Sequence, residues 1–164
     1  MGIELGSWDF KEKPQGLWRA VLKSPRYLFK WNLGFVMGDR FLLIHHVGRR
    51  SGTAYQTTVE VVDHDHDTGE YIVCSGTGPG ADWYRNLQAA PAAQIQVANR
   101  TWQPSQRFLD AHEASARFKR YEAAHPRTAR RLLRSMGHSY DGSDDGRTTM
   151  TSDMPMVAFT DEPA

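Results

Sequence analysis

Three features that are scarce or absent in this sequence narrow its class. Cysteine occurs once, at Cys74, so no disulfide can form within the chain. No apolar run approaches the roughly 20 residues that a membrane-spanning helix needs, and no basic segment followed by an apolar one opens the chain. Charge of one sign is not in excess either, because 20 basic and 19 acidic residues nearly cancel. We therefore expect a cytoplasmic protein whose partner is not nucleic acid.

The composition is that of one globular domain. The 164 residues are 40% hydrophobic and 24% charged, close to globular averages. Residues 15–37 carry apolar side chains at three- and four-residue spacings, which predicts two short amphipathic helices interrupted at Ser24-Pro25. We divide the chain into an N-terminal helical extension, 1–38, and a cofactor-binding domain, 39–164. Because the extension mixes tryptophans with basic residues, it either caps a pocket or makes peripheral contact with the inner face of the cell membrane.

The rest of the chain predicts an α+β domain. Segments rich in β-branched and aromatic residues predict six strands, at 41–47, 55–62, 71–75, 94–97, 101–108 and 156–159. Helix signals predict helices at 81–90, at 111–124 after Asp110, and from Pro126 to a cap at Gly137, with a polar loop over 138–152. Strands and helices mostly do not alternate, which indicates an antiparallel barrel with flanking helices.

Two glycine-containing segments carry candidate chemistry. The first, GRRSG at 48–52, follows a predicted strand and combines backbone amides with two guanidiniums, a pattern suited to a phosphate. A plain β-turn with solvated arginines is the alternative. The second, SGTGPGADWYRN at 75–86, is a glycine-rich loop that runs into a helix, where a flat ring could lie against the loop. In the alternative reading it is a structural turn, with Trp83 in the core.

The order and spacing of these motifs resemble those of the deazaflavin (F420)-dependent nitroreductase family, which includes F420H2-dependent quinone reductases. The likeness extends from about Phe41 to about Pro126 and includes the strand TTVEVV at 57–62. It implies a split β-barrel, similar to FMN-binding barrels, that holds coenzyme F420, a deazaflavin with a phosphate and a polyglutamate tail. The residues that it implies for cofactor binding are Arg49, Arg50, Ser51, Gln56, Thr57, Thr58, Val59, Ser75, Gly76, Thr77, Gly78, Asp82, Trp83 and Asn86.

The resemblance also implies a reaction. The reduced deazaflavin would pass a hydride to a quinone, a nitroaromatic or another electron-poor acceptor, while solvent or a hydroxyl such as Ser75 or Tyr121 supplies the proton. The sequence departs from the family at Tyr55, where many relatives have a basic residue, and at Thr58, where proline is frequent. Two alternatives stay open: an FMN-dependent reductase of the same fold, and a non-catalytic carrier of F420 or a lipid-binding relative.

Three charged segments resemble ion-binding sites, and each also has a simpler structural interpretation. DHDHD at 63–67 could hold a divalent metal, but an exposed hairpin tip explains its alternation. The segment 141–146 opens like a calcium loop, yet Ser152 occupies the position that needs a glutamate. Arg127, Arg130, Arg131 and Arg134 share one helical face, which is a solvated surface or a site for a polyanionic tail or a lipid headgroup. We therefore predict no metal site.

Overall fold

The structure is a computed structural model that describes residues 38–135 and 137–161. The helices predicted for 15–37 lie outside the described residues. The strands are β1 (Phe41–Val47), β2 (Ala54–Asp65), β3 (Glu70–Cys74), β4 (Gln94–Val97), β5 (Arg100–Trp102), β6 (Ser105–Phe108) and β7 (Met156–Thr160). The helices are α1 (Asp82–Ala89), α2 (Ala111–Ala124), α3 (Pro126–Ser135) and α4 (Asp144–Ser152), and a short 3-10 turn, Gly38–Arg40, precedes β1.

The described strands form one antiparallel sheet that curls on itself. Its order is β5-β4-β1-β2-β3-β7-β6, and the long β2 pairs with β1 through its first half and with β3 through its second half, with a register shift between Val61 and Asp63. The strands at opposite ends of this order, β5 and β6, are joined by residues 103–104 alone, so the two ends of the sheet must meet. Trp102 Nε1 donates to the Thr160 carbonyl at 3.3 Å across this junction. The predicted α+β split barrel is confirmed.

Apolar side chains pack on both faces of the sheet. Inside the barrel, Leu42, Ile44 and Phe159 form a cluster that α1 covers with Trp83. On the outer face, a second cluster lies between the sheet and the helices α2, α3 and α4, and it includes Ile72, Phe118, Leu133 and Met150. The described residues include no helix that is long and apolar enough to cross a membrane.

Two of the predicted elements were wrong. The single strand predicted for 101–108 is split into β5 and β6, because Pro104 lacks the amide hydrogen that a continuous ladder requires. The polar loop predicted for 138–152 contains α4. Ser143 caps this helix by accepting from the Gly146 amide at 2.9 Å, and Arg147 and Met150 are buried. Tertiary packing therefore overrides the glycine- and aspartate-rich composition.

Helices α1, α2 and α3 were predicted within one or two residues. The Asp110 side chain accepts from the Glu113 amide at 2.8 Å, the capping bond that starts α2. Gly137 has the φ of +75° that a helix-ending residue often needs, which is why glycine stands there. Helix α2 ends at Ala124 and Pro126 opens α3 directly, so the two helices are joined through His125.

Candidate functional site

The loop between β1 and β2 contains GRRSG and is closed by its own backbone. The Gly48 amide donates to the Thr53 carbonyl at 2.8 Å, and the Gly52 amide donates to the Gly48 carbonyl at 2.9 Å. A Cβ at Gly48 would lie 2.7 Å from both Ser51 Oγ and the Tyr55 ring, so the loop needs glycine there. The sequence thus folds this pentapeptide into a compact turn at the end of β1.

The two arginines of this loop have different environments. The Arg49 guanidinium donates to Asp82 Oδ1 and Asn86 Oδ1, both at 2.9 Å, and the Arg49 amide also donates to Asn86 Oδ1 at 3.1 Å. Arg50 is exposed, and among the described residues it makes no ion pair or hydrogen bond. Arg49 therefore fastens the loop to α1, whereas Arg50 presents a free guanidinium to solvent.

A buried histidine extends this contact into the barrel. Asn86 Nδ2 lies 3.2 Å from His46 Nδ1, and His46 Nε2 lies 3.0 Å from Thr57 Oγ1. Because Asn86 Oδ1 accepts from Arg49, its Nδ2 group must donate to His46, so His46 accepts at Nδ1 and donates from Nε2 to Thr57. Burial lowers the pKa of His46 to about 4, which keeps the ring neutral at pH 7. This linking role of His46 was not predicted from the sequence.

The predicted ring-lining residues of β2 divide between two faces. Thr57 and Val59 are buried on the inner face, whereas Gln56 is exposed and Thr58 is half-buried on the outer face. A flat ring lying on one face of the strand can therefore meet the side chains of only one pair. Thr58 Oγ1 is buried and has no hydrogen-bond partner among the described residues. A buried hydroxyl in this state is suited to bond a ligand.

The glycine-rich loop after β3 is ordered by a serine. Ser75 Oγ donates to the Gly78 carbonyl at 2.7 Å, and the Gly78 amide donates to the Ser75 carbonyl at 3.0 Å. Gly78 has a φ of +87°, and a Cβ there would lie 3.3 Å from the Asp153 carbonyl. Gly76 and Thr77, at the tip of the loop, are more exposed to solvent than Ser75. The loop leads into α1, where the contacts to Arg49 are made, so both sequence motifs meet at this helix.

Neither predicted proton donor has an uncommitted hydroxyl. Ser75 is buried and gives its proton to the Gly78 carbonyl. Tyr121 on α2 donates to Glu60 Oε1 at 3.1 Å, and burial together with the Glu60 carboxylate raises the pKa of Tyr121 well above its usual value. Their catalytic roles stay predictions. Trp83, which the resemblance places at the cofactor, is 5% exposed and belongs to the inner core.

A cavity of about 300 Å³ adjoins the outer face of β2. Glu60 lies on its wall, two residues beyond Thr58 on the same face of the strand, about 7 Å along the chain. Tyr121, Arg40 and His125 also line it. Sequence analysis did not single out Glu60; the signal was a lone carboxylate within the otherwise apolar run VEVV. This cavity is large enough for a small aromatic acceptor.

The acidic and histidine-rich segment 63–67 is an ion-paired anchor. Arg117 of α2 donates to Asp63 at 2.9 Å and to Asp65 at 2.7 Å, and these carboxylates are only 17% and 14% exposed. Hydrogen bonding to Arg117 lowers the pKa of Asp65 to about 2. The prediction of an exposed hairpin tip holds for His66 and Asp67, which lie in the turn between β2 and β3. It was wrong for the first three residues, because they extend β2 against α2. Nowhere in the described chain do three or more His, Cys, Asp or Glu residues form a group that could hold a metal ion.

Comparison with known proteins shows which family the sequence matches. Residues 32–135 match the model of a family described as F420H(2)-dependent quinone reductase. No curated protein matches the chain. A structure described as a domain-swapped dimer is 17% identical, with a TM-score of 0.51 over 88% of this chain and 99% of that one, and it shares the fold.

Two further solved structures are similar at lower scores. A structure of an F420-H2 dependent reductase, FDR-A, is 19% identical, with a TM-score of 0.48 over 73% of this chain and 93% of that one. An FMN-binding protein from Nostoc punctiforme, related to pyridoxamine 5'-phosphate oxidase, is 14% identical, with a TM-score of 0.47 over 90% of this chain and 81% of that one.

Proposed function

Because the chain belongs to the F420H2-dependent quinone reductase family, it is an oxidoreductase of the F420H2-dependent class, and we propose that it reduces a quinone, a nitroaromatic or a similar electron-poor acceptor in the cytoplasm. One structural observation supports this proposal most directly: the unpartnered hydroxyl of Thr58 lies on the outer face of β2, two residues before Glu60, which lines a cavity that could admit such an acceptor. Family membership supports coenzyme F420 as the cofactor.

We assign the cofactor to the outer side of β2 and the two glycine-containing loops. Arg50 and Ser51 are exposed and would hold the phosphate and tail, since a free guanidinium forms paired hydrogen bonds to phosphate oxygens. Gln56 and Thr58 would line the ring, and the segment 75–78 would meet its polar edge. These groups suit an anionic ligand with a flat polar ring, because the described structure leaves Arg50 and the Thr58 hydroxyl without partners.

The other residues that the family resemblance implies would support the cofactor-binding groups and would not contact the cofactor themselves. Arg49, Asp82 and Asn86 hold the first loop on α1, and Trp83, Thr57 and Val59 pack in the barrel. When bound, the reduced deazaflavin supplies the hydride, so the protein contributes position and electrostatics. Ser75 would keep the second loop in shape, and the pair formed by Tyr121 and Glu60 would border the acceptor and pass a proton from solvent.

Steady-state oxidation of F420H2 tests this proposal. Menadione and a nitroaromatic serve as acceptors, and the loss of the reduced cofactor is followed by absorbance. We expect turnover with menadione, and a lower kcat in Tyr121→Phe than in the exposed control Arg85→Gln. If F420 binds tightly but no acceptor is turned over, the protein is a carrier. If Tyr121→Phe and Ser75→Ala both retain full turnover, solvent alone supplies the proton.

A further inference from the structure

Helix α3 presents a stripe of four arginines, Arg127, Arg130, Arg131 and Arg134, which we call the arginine stripe. All four are exposed. At 100° per residue they fall within an arc of about 100°, and the rise of 1.5 Å per residue spreads them over about 10 Å. The opposite side of the helix carries Ala129 and Leu133, which are buried in the outer core cluster. The stripe is therefore fixed in orientation and points away from the core.

Three members of the stripe differ from most other arginines in the described part of the chain, although Arg50 and Arg85 are also exposed and without an ion pair. Arg49, Arg107, Arg117 and Arg147 all pair with carboxylates of the domain. Arg127, Arg130 and Arg134 have no ion pair or hydrogen bond among the described residues, and α3 contains no acidic residue. Arg127, Arg130 and Arg134 thus bring three positive charges close together that no acidic group of the described residues pairs with, although the net charge of the whole chain is only +1. Such a concentration of charge favours an anionic partner.

The shape of the stripe selects among anionic partners. It lies on a convex, exposed helix, and none of its arginines lines the cavity beside Tyr121, although Thr128 of the same helix does. A small anion could reach only one or two guanidiniums, whereas a plane of phosphates could contact all of them. Nucleic-acid-binding domains usually carry a basic field over the whole domain, which a pI of about 7.9 does not provide.

We infer that the arginine stripe docks the protein on an anionic lipid bilayer. Guanidiniums bond lipid phosphates in pairs, and basic residues close to an anionic membrane surface add to the binding affinity independently of any insertion. The inference does not depend on the proposed reductase activity, since none of the residues assigned to the cofactor lies on α3.

Vesicle co-sedimentation of the full-length protein tests the inference without cofactor. Vesicles of phosphatidylcholine alone are compared with vesicles that also contain phosphatidylglycerol. The test variant is Arg127→Gln/Arg130→Gln/Arg134→Gln. The control, Arg85→Gln/Arg100→Gln/Lys119→Gln, removes the same charge from exposed side chains elsewhere. Circular dichroism verifies that both variants are folded.

We expect the wild type and the control to bind only the vesicles that contain phosphatidylglycerol, less tightly as salt rises. Since each arginine contributes about fivefold to affinity at such a surface, the test variant should bind on the order of 100-fold more weakly. Equal binding by the test variant, an equal loss in the control, or no binding by the wild type would each overturn the inference. Stripe-dependent binding to a short DNA duplex in place of vesicles would overturn it too.

Discussion

Thr58 carries a polar atom that the folded domain leaves unsatisfied. Burying a hydroxyl without a partner costs about 1–3 kcal/mol, whereas an apolar group of the same shape avoids this cost. We therefore predict that Thr58→Val raises the free energy of unfolding of the cofactor-free protein by about 1 kcal/mol. The same change should weaken F420 binding about fivefold to tenfold, because the ring loses a hydrogen bond. Urea denaturation and fluorescence titration measure the two effects.

Thr58→Val should raise the stability of the domain while it lowers cofactor affinity, and these opposite effects distinguish a ligand-binding role of Thr58 from a structural one. Thr58→Ser, which keeps the hydroxyl, should retain cofactor affinity, although it loses a methyl group from the outer face of β2. If Thr58→Val lowers stability, the hydroxyl has a structural partner. If it raises stability but leaves affinity unchanged, Thr58 does not contact the ring.

His46 should make the stability of the domain depend on pH. Its pKa is about 4 in the folded protein and about 6.5 in the unfolded chain. Folding therefore favours the neutral ring, and its stabilising effect is complete above pH 6.5 and is lost as pH falls towards 4. His46→Leu should cost about 2 kcal/mol at pH 7.5, because Asn86 and Thr57 lose their partner.

The difference between wild type and His46→Leu should then narrow by up to about 2 kcal/mol at pH 5, since only the wild type gains a proton on unfolding at this site. Urea denaturation of both proteins at pH 7.5 and at pH 5 measures this change in the stability difference. Histidines distant from His46 titrate equally in both proteins and cancel in the comparison. A constant difference would mean that His46 is already protonated in the fold.

At the scale of elements, α2 is held on β2 and β3 by a cluster of ion pairs. Arg117 contacts Asp63, Asp65 and Glu70, and its side chain is only 12% exposed. Removing one partner of a largely buried ion pair leaves the other charges uncompensated, so Arg117→Met should lower the free energy of unfolding by about 3 kcal/mol. Arg120→Met removes a side chain that is 61% exposed, and its cost should stay below about 1 kcal/mol. If urea denaturation shows that Arg117→Met and Arg120→Met lower the free energy of unfolding equally, Arg117 does not hold α2 on the sheet.

Local signals explain which elements were predictable. The caps Asp110 and Gly137 and the start at Pro126 are encoded by neighbouring residues, so α2 and α3 could be found from the sequence. Helix α4 could not, since its glycine and aspartates favour a loop and its stability comes from packing against α2 through residues distant in sequence. The split of β5 from β6 could have been predicted from Pro104, since proline cannot donate to a continuous ladder.

For the whole molecule, the sequence could indicate the barrel and both loops but not how their side chains pair. The resemblance assigned both Arg49 and Arg50 to the phosphate and tail of the cofactor, and it could not indicate that Arg49 pairs with Asp82, which is 33 positions away. Likewise, alternation along β2 divides the stretch 56–59 between two faces, which a list of neighbouring residues cannot express. Long-range side-chain pairing depends on how the sheet closes, and no local pattern records it.

Titration of the purified protein with F420 and, in parallel, with FMN determines whether this domain binds the deazaflavin in preference to a flavin. Fluorescence reports binding, and Arg50→Gln is compared with Arg85→Gln, an exposed arginine on α1. We expect selective binding of F420, weakened by Arg50→Gln and unaffected by Arg85→Gln. Preference for FMN, or no binding of either cofactor, would contradict it.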